Sequence, residues 1–349
     1  MTVLTDSYTA EREAIDAGLR TSVDRLPAAA SRIASYHFGW TDEQGHESRA
    51  SSGKALRPLL TLLAAKAVAG AAPHADSADG AELWRPAVPA AVAVELIHNF
   101  SLVHDDIIDR DETRRHRPTV WKVFGSTDAI LVGDALHALA FEVLAESGSE
   151  SVAAGTGLLA GTVRALIEGQ LADTRFEERD RVGIAECVAM AEAKTASLMG
   201  CATALGALFA GGTEVQVKAL RDFGFRLGLA FQHVDDLLGI WGDPEVTGKA
   251  VFSDLRNRKK SLPVTAALGS GRPESAELAR LYAGAGPLDE AQLVRAAELV
   301  ETCGGRSASR ESAESLTASA AVGLGAGGLL PEAVAELSGL AASTVGRAW

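Results

Sequence analysis

The sequence has little from which to build a disulfide framework, an aromatic-rich core or a membrane span. Its 349 residues include three cysteines, Cys187, Cys201 and Cys303. The number is odd and the spacings lack the close pairs of a zinc site or a disulfide scaffold, so the three read as small buried hydrophobes. Aromatic residues make up only 5%, while Ala, Leu and Val run throughout the 47% that is hydrophobic. That balance suits closely packed helices better than sheets, and the chain is long enough to bury a sizeable core. No uninterrupted apolar stretch approaches the ~20 residues that cross a bilayer. The opening residues, MTVLTDSYTAEREAID, carry acids where a secretory signal has a basic start and an apolar run. A cytoplasmic chain with no transmembrane segment is expected. Positive charge is also short, with 33 Lys and Arg against 46 Asp and Glu and a net charge of -13. The average surface therefore repels nucleic acid and anionic lipid, no nucleic-acid partner is expected, and any polyanion needs a local basic patch.

What the sequence does have is helical periodicity. It runs through Glu11–Leu26, Leu56–Val68, Val88–Ile108, Ala129–Leu144, Val152–Ala172, Ile184–Leu208, Val215–Trp241, Leu262–Ala267, Glu274–Ala283, Glu290–Cys303 and Pro331–Val345, and no segment alternates with the period of a strand. Gly and Pro break the pattern at Gln44–Gly53, Gly70–Trp84, Gly211–Thr213 and Gly242–Asp254. None of these breaks reads as an interdomain linker. A single all-α domain over 1-349 is expected, with local disorder near 1-10 and in the Ala/Gly/Ser-rich tract 307-328.

The segment Val88–Ile108 begins apolar and ends on Asp105, Asp106 and Asp109. Acids sit poorly at a helix C-terminus, where the macrodipole is negative and each unpaired carboxylate costs up to roughly 1 kcal/mol, so a bound cation would be stabilising. Asp105 and Asp109 stand at i and i+4 on one helix face, close enough to bridge metal ions. Oxygen donors without Cys or clustered His suit magnesium, with manganese as a substitute. A second pair, Asp235 and Asp236, lies in the apolar stretch Phe225–Trp241, with Gln232 about one turn earlier. Spacing alone leaves other readings open. Such pairs are often solvated helix faces, and a di-iron carboxylate bundle would need two facing Glu-x-x-His pairs, for which Glu95/His98 and Glu43/His46 are the candidates. Basic runs change the chemistry: GKALRP at 53–58, RRHRPT at 114–119, Lys194, and GKAVFSDLRNRKK at 248–260. Carboxylates that carry metal ions, together with Arg forks and Lys ammonium groups, are the set a diphosphate requires.

These motifs, in this order over nearly the whole chain, resemble the trans-isoprenyl diphosphate synthase family, also called polyprenyl synthetases. GKALRP, ELIHNFSLVHDDIIDRDETRRHRPT, GDALHALAFEVL, GQLAD, KTASL and FQHVDDLLGIWGD carry the resemblance. It implies an isoprenoid-synthase-type bundle of ten or more helices around a deep central cavity, and a homodimer. It implies condensation of isopentenyl diphosphate with an allylic diphosphate, these two being the partners of the site. Residue by residue, Asp105, Asp109 and Asp235 would hold magnesium, with Asp106 and Asp236 in support. Arg114, Lys194, Gln232 and Lys249 would hold the allylic diphosphate, and Lys54, Arg57, His98 and Arg115 the isopentenyl diphosphate. Thr195 would stand near the developing carbocation, Gln170 and Asp173 in a supporting layer, and Lys259 on a closing loop. Two positions depart from the family pattern. Gly239 stands where an aspartate is usual, and Phe252 where a glycine is usual.

Chain length of the product is expected to depend on residues before the first acidic pair. With ~1.5 Å of rise per residue, Phe100 and Ser101 lie roughly 6–8 Å further along the helix than Asp105. A bulky Phe100 beside a small Ser101 resembles the short-chain members that make geranylgeranyl diphosphate. Farnesyl or longer products, a non-catalytic partner subunit and a class I terpene cyclase are the alternatives.

Overall fold

The computed structural model describes residues 8–48, 55–69, 83–244, 250–284 and 286–346. Apart from a small hairpin, β1 (Thr113–Arg114) and β2 (Arg117–Pro118), and an isolated bridge, the described regular structure is helical. The α-helices exceed the ten expected. By contacts the chain groups into two compact units, Met1–Gly161 with Cys201–Arg221 and Gly327–Val334, and Thr162–Gly200 with Asp222–Ala326 and Ala335–Trp349.

The first unit is built around α4 (Val88–Ile108), against which α1 (Thr9–Val23), α3 (Leu56–Ala69) and α6 (Ser126–Ala145) pack. Proline in the first turn of α4 costs no hydrogen bond. Every residue from Ala90 to Ile97 is buried, so the helix is apolar on nearly all sides, as a core helix is. The stretch Arg85–Ile108 contains an 18-residue window with a mean hydropathy of 1.4, in the range of a membrane span, although Glu95 interrupts its apolar run. Its burial, 72% of the apolar window, accounts for that hydropathy. Two short helices in this unit were not legible in the periodicity: α2 (Ala28–His37), which buries only Ile33, Ala34 and Tyr36, and α5 (Val120–Phe124). Of the 1-10 stretch, Tyr8 is buried and α1 begins at Thr9, while residues 1–7 lie outside the described residues.

The second unit contains α8 (Ile184–Ala191), a π-turn at Glu192–Ala196, α11 (Ser253–Arg256), α12 (Leu262–Leu268), α13 (Ser275–Ala283), α14 (Glu290–Thr302) and α15 (Gly305–Leu324). Four further helices, α7 (Val152–Glu177), α9 (Ser197–Phe209), α10 (Glu214–Trp241) and α16 (Pro331–Val345), contribute residues to both groupings. The 307-328 tract, expected to be locally disordered, is instead α15 followed by a short 3-10 turn. Its buried residues Ser309, Ala313, Ala320 and Leu324 recur on one face, and small side chains hid a helical stripe that larger ones would have shown. The three cysteines are buried and unbridged. Burial pushes the Cys187 thiol up to about 12, which keeps it an inert core group.

After α10 the backbone turns through Phe252 at φ 63 and ψ 23, a left-handed conformation that costs an L-residue about 1–2 kcal/mol. Its N–H donates to the Ile240 carbonyl at 3.2 Å. Its ring packs on a buried cluster that includes Ile240, Leu255, Val264 and Leu278, and that burial offsets the strain. Phe252→Ala keeps the strained backbone and loses the ring, so it is expected to lower stability by about 2 kcal/mol in urea denaturation. Phe252→Gly is expected to be more stable than Phe252→Ala, the reverse of the usual order. A glycine variant less stable than the alanine variant would show that the φ angle stores no strain.

Candidate active site

Each acidic pair divides into a buried member and an accessible one. In the first unit Asp106 is 1% exposed and accepts from Arg114 through Nε at 2.7 Å and a second nitrogen at 2.6 Å. Its other oxygen, Oδ2, is buried without a hydrogen-bond partner. Burial raises the Asp106 carboxyl above the ordinary range, against the pull of Arg114. Asp105 is half-buried and Asp109, which caps α4, is exposed.

Arg114 reaches Asp106 because the chain reverses in a two-residue hairpin, with Thr113 opposite Pro118 and Arg114 opposite Arg117. The turn residues Arg115 and His116 have φ of 52 and 61. Both are left-handed, as a type I′ turn requires, in positions that usually go to Asn or Gly. Strain of this kind persists only where the surroundings hold it. Arg117 does so: it donates to the carbonyls of Tyr36 at 3.0 Å and Thr41 at 2.8 Å, and lies 4.2 Å above the Tyr36 ring. The Tyr36 hydroxyl donates to the Pro118 carbonyl at 2.7 Å. Sequence reasoning expected no strand here and gave Arg117 no role; four basic residues within five carry no signal of which one is structural.

Arg57 and Arg115 lie near Glu95, whose carboxyl is raised by burial and lowered by both guanidinium groups. A nitrogen of Arg57 donates to His98 Nε2 at 3.2 Å. His98 is held neutral by desolvation and by Arg57, Arg115 and Arg114 around it. Arg115 is lowered by desolvation, with Glu95 opposing. His37 bonds Asn99 Oδ1 at 3.0 Å, and Asn99 donates to Glu95 Oε1 at 3.1 Å. Three guanidinium groups thus gather around His98, a local basic cluster suited to an anion. Lys54 lies outside the described residues. The di-iron alternative does not hold, because Glu95 and His98 are occupied by Asn99 and Arg57, and His46 pairs with Asp42 at 3.1 Å. Phe100 is 8% exposed, with its ring against His104 at 4.9 Å and His137 of α6 at 5.0 Å between centroids. The Ser101 hydroxyl donates to the His98 carbonyl at 2.8 Å.

In the second unit Lys194 and Thr195 lie in the π-turn, a distortion often found at functional positions. A Cβ on Gly169 would stand 2.5 Å from the Lys194 nitrogen, so only glycine lets α7 approach that turn. Lys194 Nζ donates to Asp173 at 2.6 Å. Thr195 Oγ1 donates to Gln232 Oε1 at 2.6 Å, Gln232 Nε2 to Asp236 at 2.7 Å, and the Leu262 N–H to the other Asp236 oxygen at 2.8 Å. Asp236 is 3% exposed, and burial pushes its carboxyl up to about 7. Asp235, its neighbour, is exposed. Lys259 is held above the ordinary lysine range: Asp254, Asp173, Asp236 and Asp235 together outweigh the desolvation that lowers it. Gln170 Oε1 is buried without a partner, and Lys249 lies outside the described residues.

Residues 40–300 match the family described as polyprenyl synthetase, which is more than half of the chain. The chain belongs to the polyprenyl synthetase family. Two curated relatives come from Mycobacterium tuberculosis: a (2E,6E)-farnesyl diphosphate synthase, 48% identical over 84% of this chain and 79% of its own, and a geranylgeranyl diphosphate synthase, 43% identical over 84% and 82%. Among solved structures, a polyprenyl synthetase from Streptomyces coelicolor A3(2) has a TM-score of 0.88 at 45% identity, covering 96% of this chain and 98% of the other. A geranylgeranyl pyrophosphate synthase from Corynebacterium glutamicum, complexed with isoprenyl diphosphate and magnesium, has a TM-score of 0.77 at 28% identity, covering 97% and 96%. The fold is the all-helical isoprenoid synthase fold, and this polyprenyl synthetase is a prenyltransferase of a family that uses a divalent metal.

The donor chemistry fits magnesium. Asp173, Asp235, Asp236 and Asp254 outnumber Lys194 and Lys259 in the second unit, and Asp106 Oδ2 has no partner in the first. Among the described residues, no three acidic, His or Cys side chains gather closely enough to hold an ion by themselves. Oxygen ligands from a substrate and water would have to complete its shell.

His37 yields a pH-dependent consequence. Desolvation, then Arg115 and Arg114, lower it to about 3, so between the unfolded value near 6.5 and that point only the unfolded chain takes up its proton. Its contribution to stability is therefore full above about pH 6.5 and is lost as pH falls. His37→Gln removes this term, and the stability of the wild type relative to the variant is expected to drop by about 1.4 kcal/mol per pH unit between about pH 6 and 4. A pH-independent difference would show that His37 is protonated in the folded protein.

Proposed function

We propose that this prenyltransferase condenses isopentenyl diphosphate with an allylic diphosphate and forms geranylgeranyl diphosphate in the cytoplasm, as a homodimer. The observation that carries the reading is the cations beside each acidic motif: Arg114 on Asp106, with Arg57 and Arg115 near Glu95, and Lys259 facing Asp236 and Asp235, with Lys194 on Asp173. A non-catalytic partner subunit would not need both sets, and a cyclase would not need Arg57 and Arg115 for a second diphosphate.

In this reading Asp105, Asp109 and Asp235 would hold magnesium, which when bound would supply positive charge to the leaving diphosphate. Arg114, Lys194, Gln232 and Lys249 bind and orient the allylic diphosphate, and preorganised donors of this kind contribute roughly 3–4 kcal/mol apiece to such a transition state. Lys54, Arg57 and Arg115 bind isopentenyl diphosphate, with neutral His98 accepting from Arg57 and fixing its orientation. Thr195 Oγ1, its proton committed to Gln232, would offer its lone pairs to the allylic carbocation. The allylic C–O bond breaks, the isopentenyl double bond attacks the carbocation, and loss of a proton regenerates an allylic diphosphate. Asp173 and Gln170 support Lys194 and the wall behind it, and Lys259 closes the site. The homodimer is supported by apolar side chains left on α6, Ile130 at 45% and Leu131 at 60% exposure. Sedimentation at the mass of one chain at micromolar concentration would contradict it.

Labelled isopentenyl diphosphate with each allylic primer and magnesium is expected to give elongated diphosphates. Asp105→Ala is expected to lose at least about 10³-fold in turnover, equal to about 4 kcal/mol. Near-normal turnover in the purified variant would reject the role of Asp105, and hydrocarbon release without incorporation would favour a cyclase.

Product length is the finer part of the proposal. The twenty-carbon product is supported by Phe100 with Ser101 beside it. A fifteen-carbon product is the second reading, favoured by the higher identity to the farnesyl relative than to the geranylgeranyl one. Mass analysis of the wild-type product is expected to end at twenty carbons, and Phe100→Ala, which opens space against His104 and His137, is expected to lengthen it. A wild-type product ending at fifteen carbons overturns the assignment, and an unchanged distribution in the variant removes Phe100 from the ruler.

A further inference from the structure

Two adjacent residues at the end of α2 reach two different parts of the cationic cluster in the first unit. Tyr36 reaches the hairpin: its hydroxyl donates to the Pro118 carbonyl at 2.7 Å, while its own carbonyl and ring hold Arg117. It thereby fixes the turn that carries Arg115. His37 reaches α4 instead. Asn99 is fully buried, and its Nδ2 donates to the Glu95 carbonyl at 2.8 Å and to Glu95 Oε1 at 3.1 Å. Only Oδ1 is left to accept, so His37 Nε2, 3.0 Å away, carries the proton and donates. The chain of bonds ends on the Glu95 carboxyl, 5% exposed, on which Arg57 and Arg115 both act.

We infer that Tyr36 and His37 are positioning residues for the second diphosphate: Tyr36 sets Arg115 through the hairpin, and His37, by way of Asn99, aims the Glu95 carboxylate at Arg57 and Arg115. The inference rests on the proposed prenyl transfer, in which those two guanidinium groups bind isopentenyl diphosphate. A guanidinium on a long stem gives up side-chain freedom when it binds an anion, and a buried carboxylate that already orders it lowers that cost. Glu95 orders the pair only while Asn99 holds it. Removing the His37 donor leaves Asn99 Oδ1 buried without a partner, and an amide that turns to find one withdraws Nδ2 from Glu95. Arg114 is held separately, by Asp106, so the His37 arm acts on one diphosphate and not on both. Because Tyr36 and His37 are successive residues of one short helix, α2 keeps the hairpin and Glu95 in register with each other.

The test is steady-state kinetics of the full chain with labelled isopentenyl diphosphate, an allylic primer and magnesium, with melting as the check on folding. A wild type that incorporates no isopentenyl unit would reject the prenyl-transfer reading and this inference with it. His37→Leu is expected to raise KM for isopentenyl diphosphate about tenfold, the size of one hydrogen bond lost from a buried network, with kcat and the KM of the primer within about twofold of the wild type. His37→Gln, whose side-chain N–H can replace the ring donor, is expected to recover most of that loss, and Glu95→Gln to reproduce it. The double variant His37→Leu with Glu95→Gln is expected to be no worse than either single, because both break one chain. Tyr36→Phe, which loosens the hairpin carrying Arg114 as well as Arg115, is expected to raise both KM values. Equal losses for the two substrates in His37→Leu, a Glu95→Gln variant with the wild-type KM or a lower one, or a Tyr36→Phe variant that changes neither KM overturns the inference and leaves the functional reading standing. Should His37→Leu fail to fold, Glu95→Gln decides: a rise in KM confined to isopentenyl diphosphate supports the inference, and any other result overturns it.

Discussion

The buried pair of Asp106 and Arg114 is the interaction on which the first unit's site depends. A carboxylate at 1% exposure is tolerable only with a close partner, and Arg114 meets one of its oxygens with two nitrogens. To deliver that guanidinium, the chain after α4 must reverse within two residues, which forces Arg115 and His116 into left-handed conformations. The reversal in turn requires the brace that Arg117 and Tyr36 provide. The same turn places Arg115 near Glu95 and Arg57, so one buried salt bridge propagates into the arrangement of the guanidinium groups.

The second unit solves a similar problem with neutral partners. Asp236 accepts from Gln232 and from the Leu262 amide, neither of which carries charge, and burial raises its carboxyl against the pull of Lys259, whereas at Asp173 Lys259 and Lys194 outweigh burial and the carboxyl falls. In both units the buried acid anchors scaffold while its neighbour in sequence remains accessible. Adjacent residues on a helix point about 100° apart, and a doubled aspartate exploits that angle to bury one carboxylate and leave the next accessible.

Much of this was legible in the sequence. The long helices followed from apolar periodicity, and the acidic and basic motifs followed from residue type and spacing. What was not legible depends on backbone geometry that spacing does not encode. The π-turn at Lys194 reads as uninterrupted helix in the 184–208 pattern. The hairpin at 113–118 has no alternation and no Asn-Gly turn to announce it. α15 was hidden by small residues. The aromatic at 252 made sense only once its φ angle and the cluster beneath it were known.

In the proposed function the acidic motifs hold cations jointly with a diphosphate and not alone. It rests on the lack, among the described residues, of any three-donor cluster, together with the three guanidinium groups of Arg57, Arg114 and Arg115 around His98. The most direct measurement is the thermodynamic coupling between magnesium and inorganic diphosphate, by titrating each into the wild-type protein with and without the other. The account predicts weak binding of either alone and at least about a hundredfold tightening, about 2.7 kcal/mol of coupling, when both are present. Tight magnesium binding in the absence of diphosphate, or diphosphate binding unchanged by a chelator, would contradict it.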